Sequence, residues 1–345
     1  MSGLRVAVCH PQVPFERGGA EILADDLVAA LNRGGHDAAL VTIPFKWYPD
    51  PVLLEHALMW RMLDLTEANG RPIDLVIGTK FPSYLVRHPR KVVWLVHQFR
   101  QAYDLHGTQF AQFTDDAQGA AMREAIRSMD ATALGEATRR FAISRNVADR
   151  LDRFNGLGAT PLLPPPQALE FGRPSDDGTL LVVGRLDAAK RVDLVVRALA
   201  LLPGVRCALV GDGPAREGLE VLVRTLGIAD RVSFAGRVDR SELARRYSSC
   251  RAVAYVPLDE DYGFVPIEAH LAGKPVITVL DAGGPLDVVA DGETGVVCEP
   301  TPEAIAGAIR RLINDPDEAR RLGSLGKSRA AGFSWDDVVD TLTAT

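Results

Sequence analysis

Short apolar runs alternate with amphipathic stretches from one end of the chain to the other. In the first half, apolar runs over residues 4–9, 38–43, 73–77, 92–96 and 140–143 predict strands. Most are apolar on both faces, which suits parallel strands covered by helices above and below. Residues 20–32 and 144–154 predict two of the intervening helices, and Gly34-Gly35 stops the first of them. The second half repeats the style, with strands over 180–183, 207–210, 232–234, 253–256, 276–279 and 295–298. Its helices read over 191–202, 215–226, 241–247, 265–272 and 302–314. After Asn314 the pattern is helical to the end, and Ser334 opens a last helix with Asp337 at the capping-box position. Both halves are therefore α/β and doubly wound.

A proline-dense stretch, Pro161 through Gln167 and on to Gly178, separates the two patterns and reads as an interdomain linker and hinge. It divides the chain into an N-terminal Rossmann-like domain over 1–166, a C-terminal one over 167–333 and a final helix over 334–345. Residues 99–137 are polar and irregular and read as a loop-plus-helix insertion beside the cleft. No run of 18 apolar residues occurs, and the start of the chain enters a strand pattern without a signal-peptide profile. The four cysteines form no Cys-x-x-Cys pair and read as buried reduced thiols of a cytoplasmic protein. The net charge of −6 is carried by the second half, and neither half presents a basic nucleic-acid surface. One small basic run, Arg87-His88-Pro89-Arg90-Lys91, leaves open peripheral contact with the inner face of a cell membrane.

The chemistry concentrates at predicted strand-to-helix turns. The segment from Glu260 to Glu268 places two carboxylates around a turn containing Gly263, where an apolar strand gives way to a helix. The first N–H groups of that helix lack internal partners and sit at the positive end of its dipole, so the turn receives an anion. Carboxylates on either side accept hydrogen bonds from hydroxyls, and the combination suggests a sugar nucleotide. Arg185 leaves the end of the second half's first strand, and Lys190 opens the next helix. Two fixed cations there can neutralise a diphosphate without a metal.

Other turns are less distinctive. Gly18-Gly19-Ala20-Glu21 opens the first helix, and a plain tight turn explains it equally well. Gly211-Asp212-Gly213 and Gly236-Arg237-Val238 read as cleft lining, with backbone groups able to face a base. Asp281-Ala282-Gly283-Gly284 approaches a phosphate or only turns the chain. His97 ends a strand at the edge where open α/β folds place ligands, and an ordinary hydrogen-bonded histidine is the competing reading. No metalloprotease, Walker or nucleophile-elbow motif occurs. Asp259-Glu260-Asp261 spells a metal-binding pattern, which loses to the cationic pair. Glu260 and Glu268 are poorly placed to be a glycosidase pair.

These residues resemble the retaining family-4 glycosyltransferases of the GT-B fold, with the motifs in the family's order over nearly the whole chain. The resemblance implies two Rossmann-like domains facing across a cleft, with donor mainly on the C-terminal one. It implies that Arg185 and Lys190 hold the diphosphate, that Glu268 bonds the ribose, and that Glu260 bonds the transferred sugar beside the amides of Gly263, Phe264 and Val265. Gly211 and Val238 line the donor pocket. His97 sits over the sugar, Gly19 approaches the phosphate, and the final helix returns to the first domain. The chain departs from the family at Arg191, where a glycine is usual, at Asp261-Tyr262, and at Gln98 after the histidine. The implied reaction is retaining, metal-independent hexosyl transfer from a nucleoside-diphosphate sugar to a hydroxyl acceptor, in glycan, glycolipid or natural-product glycoside synthesis, with no cofactor. Uridine is slightly favoured over guanosine. A GT-B-shaped sugar-nucleotide epimerase and a non-catalytic sugar-nucleotide sensor are the alternatives.

Overall fold

The computed structural model describes residues 3–166 and 169–344. Gln167, in the proline-dense stretch, lies outside the described residues. The chain forms two compact units, Met1–Pro165 with Ser334–Thr345 and Pro166–Phe333.

The first unit is built on a six-stranded parallel sheet. Its strands are β1 (Arg5–Gln12), β2 (Asp37–Pro44), β3 (Leu75–Gly78), β4 (Lys91–Leu95), β5 (Arg139–Ala142) and β6 (Thr160–Pro161), in the order β2-β1-β3-β4-β5-β6. Helices α1 (Gly19–Arg33), α2 (Val52–Met62), α3 (Ala117–Gly135) and α4 (Arg145–Asn155) fall between the strands. The central strands β3 and β4 are buried along their whole length, as their doubly apolar pattern requires.

The second unit repeats the plan with β7 (Leu180–Val183), β8 (Cys207–Val210), β9 (Val232–Gly236), β10 (Ala252–Ala254), β11 (Val276–Val279) and β12 (Gly295–Cys298). Their order is β9-β8-β7-β10-β11-β12, again all parallel. Helices α5 (Val192–Ala200), α6 (Arg216–Thr225), α7 (Arg240–Ser249), α8 (Phe264–Leu271), α9 (Pro302–Asn314) and α10 (Pro316–Ala330) complete it. Leu180, Leu209, Val195, Leu199, Ile305 and Ile309 meet in its main core.

Strand β6, at the start of the proline-dense stretch, is absent from the sequence reading, and two further elements differ from it for local reasons. The strand expected over 73–77 begins at Leu75, because the Ile73 N–H donates to the Thr66 carbonyl and closes a small antiparallel ribbon of Glu67–Ala68 with Arg71–Pro72. Helix α2 escaped notice because it is apolar nearly all round. Leu53, Ala57 and Trp60 are buried, while Leu58, Met59 and Met62 face outward.

The last helix, α11 (Trp335–Thr343), packs in the first unit. Trp335 meets Trp94 edge to face at 6.1 Å. Its unpaired terminal carbonyls are capped by two arginines: Arg139 donates to the carbonyls of Thr341 at 2.9 Å and Leu342 at 2.8 Å, and Arg90 to that of Thr343 at 2.8 Å. This alters the reading of the basic run at residues 87–91. Arg90 caps α11. Lys91 is buried, its ammonium bonding the Tyr84 and Val86 carbonyls and Glu136. His88 bonds the backbone of Ile73 and Arg90. Arg87 and Pro89 are left exposed, and of the run's basic residues Arg87 alone is so. No helix among the described residues is long and apolar enough to cross a membrane.

Arg139→Ala should lower stability by about 1–3 kcal/mol, the scale of hydrogen bonds to a charged donor. It should also strip hydrogen-exchange protection from 335–343 while leaving the second sheet protected. Unchanged protection there would mean that apolar packing alone holds the helix.

Candidate active site

In the second sheet β7 and β10 lie side by side, and the chain winds away from them in opposite directions. That reversal opens a crevice at their carboxyl ends, where doubly wound sheets bind ligands. Three loops line it and bond to one another through the backbone. The Leu258 N–H donates to the Ala189 carbonyl, joining the loops after β10 and β7. The Asp259 and Glu260 N–H groups donate to the carbonyls of Asp281 and Ala282, and the Gly284 N–H returns a bond to Glu260 at 2.8 Å. Glu260, in the loop after β10, is thus clamped to the loop after β11.

Its carboxylate pairs directly with the Lys190 ammonium. The Lys190 backbone is held in turn by the Asp187 side chain, which caps the short turn Ala188–Lys190. Tyr255 lies beneath both. Its hydroxyl donates to Glu260 at 3.1 Å and lies 3.4 Å from the ammonium, which stands 5.7 Å from the ring centre. An ammonium carries three donors, so Lys190 can keep Glu260 and still meet a phosphate oxygen.

Gly263 precedes α8 with φ 81°, a conformation that disfavours a side chain, and a Cβ there would come within 2.7 Å of the Tyr255 ring. No side chain caps α8. Because Pro266 has no N–H, the amides of Phe264 and Val265 are the donors its first turn offers a ligand. Glu268 follows one turn on. The Tyr247 hydroxyl, from α7, donates to its Oε2 at 2.8 Å, while Oε1 accepts from none of the described residues. Burial pushes the Glu268 carboxyl above its usual range, and the Tyr247 bond partly opposes this.

The remaining sequence candidates of this unit separate into two kinds. Arg185 is exposed, with Asp187 at 4.0 Å, so it is not a fixed cation like Lys190. Gly211 has a packing explanation: with φ 131°, its added Cβ would fall 1.9 Å from the Gly184 carbonyl. Val238 is half-buried against the cluster that holds Tyr247 and Val265. Arg191 adopts a left-handed conformation, φ 48°, which accounts for the glycine usual there in the family it resembles. Its guanidinium grips Asp281 through two bonds of 2.8 and 2.6 Å and donates to the carbonyls of Val256 and Pro257, tying all three loops together. Among the described residues no group of three or more His, Cys, Asp and Glu gathers to hold a metal.

Gly19 and His97 belong to the first unit, at the carboxyl edge of its sheet. His97 is half-buried, and its Nδ1 lies 2.7 Å from the Gln98 carbonyl. Gly19 opens α1. The Glu21 carboxylate takes the Gly18 N–H at 2.9 Å and also accepts from Lys80 at 2.7 Å, with His10 at 3.5 Å. Burial opposes ionisation of Glu21, yet His10 and Lys80 hold its carboxyl below the usual range. His10 and Lys80 were missed in the sequence. His10 lies inside β1 and Lys80 just past the end of β3, and neither stands in a charged turn of the kind the sequence singles out.

A pair of Rossmann-like units, each built on a six-stranded parallel sheet, is the architecture of the GT-B fold. Residues 168–329 match the family described as glycosyl transferases group 1. The D-inositol 3-phosphate glycosyltransferase of Mycobacteroides abscessus is 38% identical over 184 residues, covering 51% of this chain. That of Streptomyces coelicolor is 34% identical over 185 residues, covering 50%. The chain spans 40% of the length of either relative. Among solved structures, sucrose-phosphate synthase from Thermosynechococcus elongatus superposes with a TM-score of 0.79 at 23% identity, over 98% of this chain and 97% of that one. HepE of Anabaena, in complex with UDP and glucose, gives 0.72 at 18% identity, over 99% and 100%.

Gly211→Ala should cost at least ~2 kcal/mol in chemical denaturation, since both the backbone angle and the Gly184 carbonyl resist a Cβ. A cost below ~0.5 kcal/mol, the size of an ordinary surface change, would show that the two loops separate freely.

Proposed function

We propose that the protein is a retaining hexosyltransferase that moves a sugar from a nucleoside-diphosphate donor to a hydroxyl acceptor. The observation that carries this reading is the second unit's switch point. There a lysine and a glutamate are locked together in front of an uncapped helix start, with Glu268 one turn behind. The match of this unit to group 1 glycosyl transferases supports it. A UDP donor is favoured, in keeping with the UDP held by the structurally similar HepE.

In this reading Lys190, Arg185 and the amides of Gly263, Phe264 and Val265 take the diphosphate. Glu268 accepts from the ribose hydroxyls, Glu260 bonds the sugar, and Gly211 and Val238 shape the base pocket. Breaking the anomeric carbon–phosphate bond leaves negative charge on the diphosphate, where the preorganised Lys190 and the peptide dipoles lower the barrier most and the exposed Arg185 adds its charge once the ligand is bound. They supply the charge that a metal would otherwise bring, so chelation should leave the rate unchanged. Glu260 is a poor nucleophile, because Lys190 and Tyr255 already engage its carboxylate. Retention then follows from attack on the face the diphosphate leaves, with the departing phosphate oxygen taking the acceptor's proton. His97 and Gly19 are the first unit's contributors to the sugar and the phosphate.

Lys190→Ala and Glu268→Ala should each lower turnover at least ~100-fold, the size of a lost transition-state contact. Near-normal rates in both would refute the assignment, and a covalent glycosyl adduct on Glu260 would overturn the same-face route. UDP at 100 times its dissociation constant should stabilise the protein by ~2.7 kcal/mol in a thermal-shift titration. Because the ionised Glu268 is the hydroxyl acceptor and burial raises its pKa, UDP affinity should weaken as pH falls through that raised value. Glu268→Gln should bind UDP more weakly and lose this pH dependence. An unaltered profile in the variant would assign it elsewhere.

A further inference from the structure

A buried acid in the first unit remains unused by the proposed chemistry. Asp130, on α3, is fully buried. Tyr84 donates to its Oδ1 and Tyr103 to its Oδ2, each at 2.8 Å. A buried carboxylate costs several kcal/mol of desolvation, and apolar residues of similar volume usually pack a core at least as well. Its surroundings therefore call for an explanation.

The partners of Asp130 form an ordered series. The Tyr103 oxygen accepts from the Asn155 amide at 3.4 Å. The Asn155 carbonyl oxygen accepts from the side-chain amide of Gln98 at 2.5 Å, and Gln98 is itself buried. The backbone carbonyl of Gln98 lies 2.7 Å from His97 Nδ1. A carbonyl can only accept, so Nδ1 carries the proton, and in the neutral ring Nε2 is then the basic nitrogen. Every donor in the series points toward Asp130, from the imidazole through Gln98, Asn155 and Tyr103 to the carboxylate. Asp130 thus sets the direction of the side-chain bonds as far as Gln98, and the Gln98 backbone carbonyl, an acceptor in any case, sets the bond to Nδ1. The Arg127 guanidinium, 5.3 Å from the centre of the Tyr103 ring, bonds the Ala102 carbonyl and fixes the tyrosine from its other side.

We infer that Asp130, Tyr103 and Asn155 are positioning residues that anchor Gln98, so that its backbone carbonyl holds His97 in one orientation and one tautomer, with Nε2 as its basic nitrogen. The inference rests on the part given to His97 in the proposed transfer, but its structural half stands apart from activity. Gln98 fills the position where some members of the family it resembles carry an acid. Here the acid lies inward at Asp130, where burial raises the carboxyl pKa to about 7, and it acts through three intervening residues.

Nitrogen-15 NMR of the full-length chain, labelled at histidine, tests it at a pH well above the ordinary imidazole pKa of ~6.5. The His97 signal is assigned by its loss in His97→Gln. The wild type should show His97 protonated on Nδ1. Asp130→Asn and, independently, Tyr103→Phe should give a mixture of tautomers and lower kcat at least ~10-fold, since a wrong tautomer disables a catalytic histidine, with the donor KM within about twofold. An unchanged tautomer and unchanged kcat in folded Asp130→Asn and Tyr103→Phe would overturn the inference. If Asp130→Asn does not fold, Tyr103→Phe alone decides. If the chain transfers no sugar, the tautomer measurement still decides the positioning role, and it is the reading of His97 as part of a transferase that fails.

Discussion

Three loops leave the carboxyl edge of the second sheet, and their backbones bond to one another before any ligand is considered. Glu260 gives its N–H to Ala282 and receives one from Gly284, while Leu258 reaches Ala189. This clamp fixes where the carboxylate and the ammonium meet. Side chains on untethered loops would pay rotamer and backbone entropy for the same geometry when a ligand arrives. The strand order makes the clamp achievable, because only at the reversal between β7 and β10 are the two loops adjacent with no helix crossing between them.

Buried polar side chains do the remaining positioning in both units. Tyr255 lies under Lys190 and Glu260, and Tyr247 under Glu268. Arg191 holds an unfavourable backbone angle and offsets it with a two-bond grip on Asp281. In the first unit Glu21 ties the Gly18 turn to Lys80. Each has partners with good geometry, as a polar group withdrawn from water requires.

Much of the fold was legible because doubly apolar runs admit few interpretations. The strands over 180–183, 207–210, 276–279 and 295–298 lie where the pattern put them. Helix α2 was not legible, since burial on one side and exposure on the other are both met by apolar side chains. At the site, Lys190 and Glu260 stood out as charges beside turns. Tyr255 and Tyr247 did not, because an aromatic residue within an apolar run looks like core until its hydroxyl finds a carboxylate. The basic run at 87–91 hid its partners for the opposite reason: charge suggests solvent, whereas Lys91 is buried against Glu136 and Arg90 caps a helix more than two hundred residues away in the chain.

The linear order of residues settled which segments become strands, where helices start, and which turns carry charge, for those depend on neighbours a few positions apart. It could not settle that Lys190 and Glu260 touch, that Asp281 answers Arg191, or that Asp130 lies behind His97. Those pairings join residues from 33 to 90 positions apart. They exist only because parallel strands return each loop to the same edge of a sheet, and because water is excluded where the loops meet.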